Sequence, residues 1–178
     1  DCLTCARNLN CELQKIAHEL GIEEVHYNGA KSRGGIDNSS SSIFRNNGKC
    51  ILCRRCVTVC EKIQSVSALS LQGRGFETKV EPSFGLGLGE VACTNCGQCT
   101  LVCPVGVITE KIDIEGVWEA ISDPSKFVII QDAPAVRAAL GEEFGYPPGT
   151  LVTGKMLAAA RKLGFDRVFD TNFAADLT

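Results

Sequence analysis

The sequence predicts an α+β protein in which a compact cysteine-rich domain is flanked by a small N-terminal segment and an incomplete C-terminal α/β segment. Three observations predict this organisation. The 178-residue chain has eleven cysteines, which all lie in three clumps before residue 104. A stretch rich in Gly, Ser and Asn separates the first clump from the second. After the third clump, short apolar runs alternate with segments of helical periodicity, which is typical of an α/β fold.

Residues 1–27 make up the N-terminal segment. We expect a helix over residues 11–20 that ends at a glycine cap, Gly21, and a short strand over residues 22–27. The helix is indicated by apolar residues that recur at helical spacing, namely Leu13, Ile16, Ala17 and Leu20. Residues 28–48 have the composition of a loop. They are expected to be a linker over a neighbouring domain, because so long a stretch without structure is unusual inside a compact one.

The central domain is expected to span residues 49–124. Within it, two apolar runs on either side of Gly73-Arg74-Gly75 predict a hairpin with strands over 66–72 and 76–81. The glycine-rich run that follows, Gly85-Leu86-Gly87-Leu88-Gly89, has some likeness to a phosphate-binding loop. It lacks the required strand-then-helix context and spacing, so we interpret it as a flexible approach to the third cysteine clump.

The C-terminal segment covers residues 125–178. Strands are expected over 126–130 and 167–169, the first of them because it is a short β-branched run. A helix is expected to open near Pro134, and a second one over roughly 153–163, before Gly164. The sequence contains no further elements to close a sheet, so we interpret this segment as the beginning of a larger domain.

Composition narrows the classes of protein that need to be considered. The net charge of −3 gives no reason to expect nucleic acid as a partner. No apolar run approaches the ~20 residues that a transmembrane helix requires. The tight grouping and odd number of cysteines argue against a disulfide-linked secreted protein. A reducing cytoplasm is therefore the expected compartment.

The second and third clumps repeat one pattern. Both have the spacing C-x2-C-x2-C-x3-C, over Cys50, Cys53, Cys56, Cys60 and over Cys93, Cys96, Cys99, Cys103, and Pro104 follows the last of these. In two-cluster bacterial ferredoxins, the fourth cysteine of each motif ligates the other cluster. The pattern therefore predicts two 4Fe–4S clusters, one held by Cys50, Cys53, Cys56 and Cys103 and the other by Cys93, Cys96, Cys99 and Cys60. The alternative is zinc, whose usual C-x2-C…C-x2-C arrangement fits this rhythm poorly.

The first clump, Cys2, Cys5 and Cys11, supplies three thiol ligands and lacks a fourth. The two histidines, His18 and His26, are expected to be a solvent-exposed residue of the helix and a strand residue, respectively. From the spacing, we expect the fourth ligand to lie before Asp1.

These motifs together resemble the accessory region of iron-only (FeFe) hydrogenases. That family carries a 4Fe–4S cluster on an H-x3-C-x2-C-x5-C motif, whose cysteine part matches Cys2, Cys5 and Cys11, with the histidine just before Asp1. A two-cluster ferredoxin-like domain follows in the family, as it does here. The stretch from Gln131 to Arg137, and then the residues from Thr153 through Asp166 to Thr178, resemble the opening of the hydrogenase catalytic domain.

The resemblance implies a third 4Fe–4S cluster at the N-terminus and an electron-relay function within a hydrogenase subunit. The hydrogen-activating H-cluster of the family depends on cysteines further along the catalytic domain. Because no cysteine follows Cys103, this segment contains no catalytic residue of its own. The implied partners are ferredoxin, or NADH-oxidising or formate dehydrogenase-like subunits in a multi-subunit complex. Arg54 and Arg55 either steer an acidic ferredoxin towards a cluster or are ordinary loop charges.

Two other functions remain open at this level. The same modules precede the catalytic domains of formate dehydrogenases and occur in the electron-input subunit of NADH dehydrogenases, from which residues 126–178 are expected to distinguish this chain. A third possibility is a cluster-binding scaffold without catalysis, which predicts exposed apolar patches on the C-terminal segment.

Overall fold

The structure, a computed structural model, describes residues 2–29 and 34–177. By their contacts these residues form two compact units, one up to Lys111 and the other from Ile112 onwards. The sequence places the end of the central domain later, at residue 124. The division by contacts falls earlier because the last strand of the first unit ends at Glu110, whereas Ile121 packs beside Gly164 of the second unit.

The described residues of the first unit form three α-helices and five strands. Its helices are α1 (Glu12–Glu19), α2 (Arg55–Thr58) and α3 (Gln98–Val102), and a π-helical turn, Val59–Ile63, continues directly from α2. Its strands are β1 (Ile36–Asp37), β2 (Ile43–Asn46), β3 (Ser70–Gln72), β4 (Lys79–Glu81) and β5 (Ile108–Glu110). Single 3-10 turns lie at Cys2–Thr4, Asn47–Lys49, Gly75–Glu77, Ser83–Gly85 and Leu88–Glu90.

Two small antiparallel sheets form around the cysteine motifs. One has the strand order β1-β2-β5, with Phe44 of β2 opposite Thr109 of β5. The other is the hairpin of β3 and β4, with Leu71 opposite Val80. The hairpin agrees with the prediction, although its strands are shorter because each pairs over only three residues.

The predicted linker over residues 28–48 contains strands β1 and β2. They form because β2 pairs with β5, and its Ile43 is buried in the core of the unit. The expectation of loop throughout this range is therefore wrong for the strands, and its residues 30–33 lie outside the described part of the chain. The strand expected over 22–27, which includes His26, is also absent: residues 22–29 have no regular structure, and Val25 is 80% exposed.

The second unit contains a two-stranded parallel sheet and four helices. Strand β6 (Ile129–Gln131) pairs with β7 (Arg167–Phe169), with Ile130 opposite Val168. The helices are α4 (Ile114–Ser122), α5 (Pro134–Glu143), α6 (Thr153–Leu163) and α7 (Thr171–Asp176). Pro134 opens α5 as expected, and Gly164 ends α6 at a φ of 107°. In both described ranges, no helix is long and apolar enough to cross a bilayer.

Candidate iron–sulfur cluster sites

The two cysteine loops have the same backbone conformation. In the first loop Leu52 and Arg54 have φ values of 56° and 65°, and in the second Asn95 and Gly97 have values of 54° and 73° at the equivalent positions. Residues other than glycine rarely adopt this left-handed backbone region, since it costs each of them roughly 1–2 kcal/mol. Such local strain is characteristic of functional sites. The shared geometry turns the cysteines of each loop towards a common centre.

The first cysteine of each loop is met by an amide of its own loop. The N–H of Leu52 points at Cys50 Sγ, 3.4 Å away, and the N–H of Asn95 points at Cys93 Sγ, 3.5 Å away. Donors aimed at sulfur stabilise its negatively charged form, and hydrogen bonds of this kind tune cluster potentials. The sequence repeat is thus also a repeat in hydrogen bonding.

A first cavity is lined by Cys50, Cys53, Cys56 and Cys103. Three of these cysteines come from one loop, whereas Cys103 follows α3 at the end of the other motif. The remaining lining is mostly apolar and includes Val80 and Ile108, both almost fully buried.

A second cavity is lined by Cys93, Cys96, Cys99 and Cys60. Here the fourth cysteine comes from the first motif, where Cys60 lies in the π-helical turn after α2. A π-turn widens the helix locally and often occurs at functional sites. Leu69 and Leu88 close the apolar side of this cavity. The structure thus brings together the same two sets of four cysteines that the motif predicts, and their role as ligands remains a prediction.

The thiols differ in exposure within each set. Cys56, Cys99 and Cys103 are buried, whereas Cys53 and Cys96 are exposed. Burial raises the pKa of Cys56 to about 12 and that of Cys99 to about 11, and the neighbouring thiols add to both shifts. The pKa of Cys50 is raised as well, chiefly by burial, although the Leu52 amide and the Arg45 charge act in the opposite direction.

The donor sets fit 4Fe–4S clusters on chemical grounds. All eleven cysteines are free thiols, and four thiolates in an apolar cavity are unstable unless cations compensate their charge. Among the described residues, no three His, Cys, Asp or Glu side chains are close enough to hold a single metal ion. The four cysteines of a cubane bind four different irons, so they do not need that proximity.

The N-terminal cysteines lie against the end of the second motif. The Glu12 amide, directly after Cys11, donates to the Pro104 carbonyl at 2.9 Å, and Cys11 packs against the core of the unit. A β-carbon at Gly106 would come within 2.4 Å of Cys5 Sγ, so this glycine permits the close approach. The pKa of Cys5 is lowered, mainly by a hydrogen bond from the Arg7 amide.

Three further residues from the sequence interpretation are located by the structure. His18 is exposed on α1, as predicted, and His26 is exposed in an irregular segment. Arg55 makes an ion pair with Glu12. The predicted fourth ligand before Asp1 lies outside the described residues.

The glycine-rich run is anchored by specific contacts. The Leu88 amide donates to Asp37 Oδ2 and the Gly89 amide to Ser39 Oγ, both at 2.9 Å. A β-carbon at Gly89 would lie 2.3 Å from the Ser39 carbonyl oxygen. These glycines therefore allow close packing of two backbones, and the run is anchored to the residues around Ser39 instead of being a flexible connection.

Sequence reasoning missed Arg45, which lines the first cavity and is 1% exposed. It lies on β2 in phase with the buried Ile43, so it occupies an inward-facing position of the strand. That alternation was the available signal, but it becomes visible only once residues 43–46 are known to be a strand.

Three family profiles match successive parts of the chain. Residues 1–26 match the NADH-ubiquinone oxidoreductase-G iron-sulfur binding region, and residues 49–107 match the 4Fe-4S dicluster domain. Residues 126–178 match the C-terminal domain of the iron only hydrogenase large subunit.

Two curated relatives align with nearly the whole chain. The NADP-reducing hydrogenase subunit HndD of Solidesulfovibrio fructosivorans is 53% identical over 178 residues, which is 100% of this chain and 30% of that protein. Iron hydrogenase 1 of Clostridium pasteurianum is 35% identical over 99% of this chain and 31% of that protein. The chain therefore spans about a third of the length of these relatives.

A solved structure shares the fold of part of the chain. It is a crystal structure of an NAD+-reducing NiFe hydrogenase in the H2-reduced state, with a TM-score of 0.56 and 28% sequence identity. The similarity covers 62% of this chain and 47% of that one.

Proposed function

We propose that this chain, which belongs to the iron-only hydrogenase large-subunit family, is the electron-relay region of its parent protein. Reversible one-electron transfer is the chemistry that 4Fe–4S clusters supply when bound. The observation that carries the proposal is the exchange between the two motifs, by which Cys103 joins the first set of cysteines and Cys60 the second.

In this proposal the protein's own contribution is ligation, spacing and exclusion of water. Cys50, Cys53, Cys56 and Cys103 are the ligands at the first site, and Cys93, Cys96, Cys99 and Cys60 are the ligands at the second. Because each motif contributes to both sites, α2 and α3 fix the distance between them. Buried apolar residues such as Val80 and Leu88 keep water from the inner side of each site. Exclusion of water is one of the factors that set the reduction potential of a bound cluster.

Cys2, Cys5 and Cys11 are proposed as ligands of a third 4Fe–4S cluster, completed by a histidine before Asp1. The match of residues 1–26 to an iron-sulfur binding region supports this site. Cys11 and Cys103 line the same groove, so the N-terminal site adjoins the first ligand set. This shared groove supports a relay in the order N-terminal site, Cys50 set, Cys93 set.

The parent protein is proposed to couple H2 oxidation or proton reduction to a redox partner. The H-cluster belongs to the catalytic domain, of which residues 126–178 are the start. The name of one relative, NADP-reducing hydrogenase subunit, supports a multi-subunit complex in which a partner subunit exchanges electrons with a nicotinamide nucleotide, and ferredoxin is the alternative partner. A cytoplasmic location also remains a proposal.

Isotope exchange separates relay from catalysis in the full-length parent. The Cys53→Ala variant should lose H2-dependent reduction of ferredoxin or of a nicotinamide nucleotide. It should retain H2/D2 exchange, because exchange at the catalytic centre needs no external electron acceptor. Leu52→Ala, which removes a half-buried side chain and no thiol, is the matched control. Full electron transfer in Cys53→Ala would contradict the relay.

A second candidate function rests on the match of residues 1–26 to an NADH dehydrogenase subunit region. In that case the chain would feed electrons into a formate or NADH dehydrogenase-type enzyme. Formate oxidation or NADH dehydrogenation by the full-length parent, with no hydrogen activity, would favour this candidate.

A further inference from the structure

A single arginine lies fully buried beside the first cavity. Arg45 is 1% exposed, and its guanidinium group is fixed on three sides. Nη1 donates to Asp37 Oδ2 at 3.1 Å, while Nη2 donates to Asn47 Oδ1 at 3.0 Å and to the Val80 carbonyl. These anchors come from β1, the turn after β2, and β4, so the side chain is held in one position.

Of the three guanidinium nitrogens, Nε is the one that makes no hydrogen bond. Nε is one of two buried side-chain nitrogen or oxygen atoms of the described residues that make no hydrogen bond. An unsatisfied buried donor on a charged group is destabilising, because it has lost its hydrogen bonds to water without gaining a replacement. Arg45 also lines the cavity of Cys50, Cys53, Cys56 and Cys103. A buried donor left over beside a cavity of thiols indicates an acceptor within that cavity.

We propose that Arg45 donates its Nε–H to a sulfur of the cluster held by Cys50, Cys53, Cys56 and Cys103, and so raises the reduction potential of that cluster above that of its neighbour. The inference rests on the proposed cluster site and adds a specific tuning residue to it. Arg45 lies outside residues 49–107, so the dicluster profile does not include it.

The direction of the effect follows from charge. Reduction adds one negative charge to a cluster, so a cationic donor at its sulfur stabilises the reduced form more than the oxidised form. Asp37 partly offsets the charge, but it contacts Nη1 and receives three other hydrogen bonds, two from Ser39 and one from Leu88. The two Nη atoms are thus held by their anchors, and Nε is the guanidinium nitrogen left without a partner.

The second cysteine set offers a comparison within the same unit. Among the residues that line its cavity there is no arginine or lysine, and its polar members are neutral side chains: Thr94, Gln64 and Gln98. Arg54 also lines the first cavity, but its side chain is exposed, and the two sites otherwise share their loop conformation and amide donors. The potentials of the two clusters are therefore expected to differ in the direction set by Arg45.

The test is a redox titration of the full-length, cluster-loaded parent, followed by EPR spectroscopy, with and without Arg45→Lys. Lysine keeps the positive charge and removes the Nε donor. At a fixed potential, the ratio of reduced to oxidised cluster at the Cys50 set should fall about tenfold, a shift of about 59 mV for a one-electron couple. The cluster at the Cys93 set should be unchanged. Arg55→Lys, which makes the same change at an exposed arginine between Cys53 and Cys56, is the matched control.

A second measurement does not depend on how well the Arg45→Lys variant folds. Protein labelled with 15N-arginine should show a hyperfine coupling from 15N to the reduced cluster. That coupling should persist when Arg54 and Arg55, whose backbone nitrogens lie in the cysteine loop, are both replaced by lysine. Loss of the coupling in that double variant would overturn the proposal, as would an unchanged potential in a fully loaded Arg45→Lys protein.

These failures can be told apart from a failure of the cluster assignment. If neither Cys53→Ala nor Cys103→Ala removes an EPR signal, the proposed cluster site is wrong. If both remove the same signal and Arg45→Lys leaves its potential and the 15N coupling unchanged, only the role of Arg45 is wrong, and the side chain is then solely an anchor for β1 and β4.

Discussion

Arg55 and Glu12 are joined by two hydrogen bonds, from Nη1 to Oε1 at 2.6 Å and from Nη2 to Oε2 at 2.8 Å. Arg55 lies between Cys53 and Cys56, and Glu12 directly follows Cys11. The fork-to-fork contact therefore links the first cysteine loop to the N-terminal segment. Because the charge of Arg55 is paired with that of Glu12, less of it is available to steer an acidic ferredoxin towards the cluster.

Removing this contact should loosen the N-terminal segment. In Arg55→Gln and in Glu12→Gln, amide hydrogen exchange over α1 should accelerate about two- to fivefold, since both side chains are half-exposed and such pairs are weak in water. In the double variant, exchange over α1 should be no faster than in either single variant. Lys15→Gln, which removes the exposed Lys15–Glu19 pair on the same helix, is the control. Additive effects in the double variant would show that the two side chains act independently.

Gly106→Ala should disrupt the N-terminal cysteine site selectively. The added β-carbon would lie 2.4 Å from Cys5 Sγ, so either the thiol or the backbone must move. Iron and acid-labile sulfide should fall by roughly one third if three clusters are bound, with the two ferredoxin-type EPR signals retained. Gly35→Ala places a β-carbon in open space and should leave the iron content unchanged. An unaltered iron content in Gly106→Ala would contradict the placement of Cys5.

The glycine-rich run should behave as a packing element. Leu88 is 1% exposed within the core, so Leu88→Ala should destabilise the first unit by about 2–5 kcal/mol. The matched variant Leu86→Ala, at a position that is 42% exposed, should lower the free energy of unfolding by less than about 1 kcal/mol. Guanidinium denaturation followed by the visible absorbance of the clusters measures both. Equal midpoints for the two variants would show that Leu88 is not a core residue.

The cluster-free protein should show a pH dependence that comes from its buried thiols. The pKa values of Cys56 and Cys99 are raised by burial to about 12 and about 11. Because the folded-state pKa exceeds the unfolded value of roughly 8.5, the contribution to stability is complete below that pH. It is lost as the pH rises through the folded-state values.

Alkylation detects the same shift directly. Between pH 8 and 10, iodoacetamide should modify the exposed Cys53 and Cys96 well before Cys56 and Cys99, because the thiolate is the nucleophile. Mass spectrometry of peptides from the cluster-free protein measures each rate. Equal rates for Cys56 and Cys53 at pH 8 would contradict the burial of Cys56.

Elements with local signals were predictable from the sequence. Helix α6 and strand β7 were predicted with the observed bounds, since Gly164 ends the helix and a short segment with the apolar pair Val168 and Phe169 follows. The two sets of four cysteines around the cavities were likewise predicted, because the motif spacing fixes the loop.

Elements that depend on distant pairing were not predictable. Strand β2 exists because it pairs with β5 at the far end of the unit, and its serine-rich surroundings indicate a loop. Conversely, Val25 and Tyr27 have the spacing of one face of a strand, but residues 22–29 have no regular structure and both side chains remain exposed. Arg45 was missed for the same reason, because its burial follows from the pairing of β2.

The exchange of ligands between the motifs is tested most directly by EPR spectroscopy of single cysteine variants of the reduced, full-length protein. Cys53→Ala and Cys103→Ala should remove one and the same 4Fe–4S signal, while Cys96→Ala and Cys60→Ala should remove the other. If Cys60→Ala instead removes the signal that Cys53→Ala removes, each motif holds its own cluster, and the proposed relay geometry is wrong.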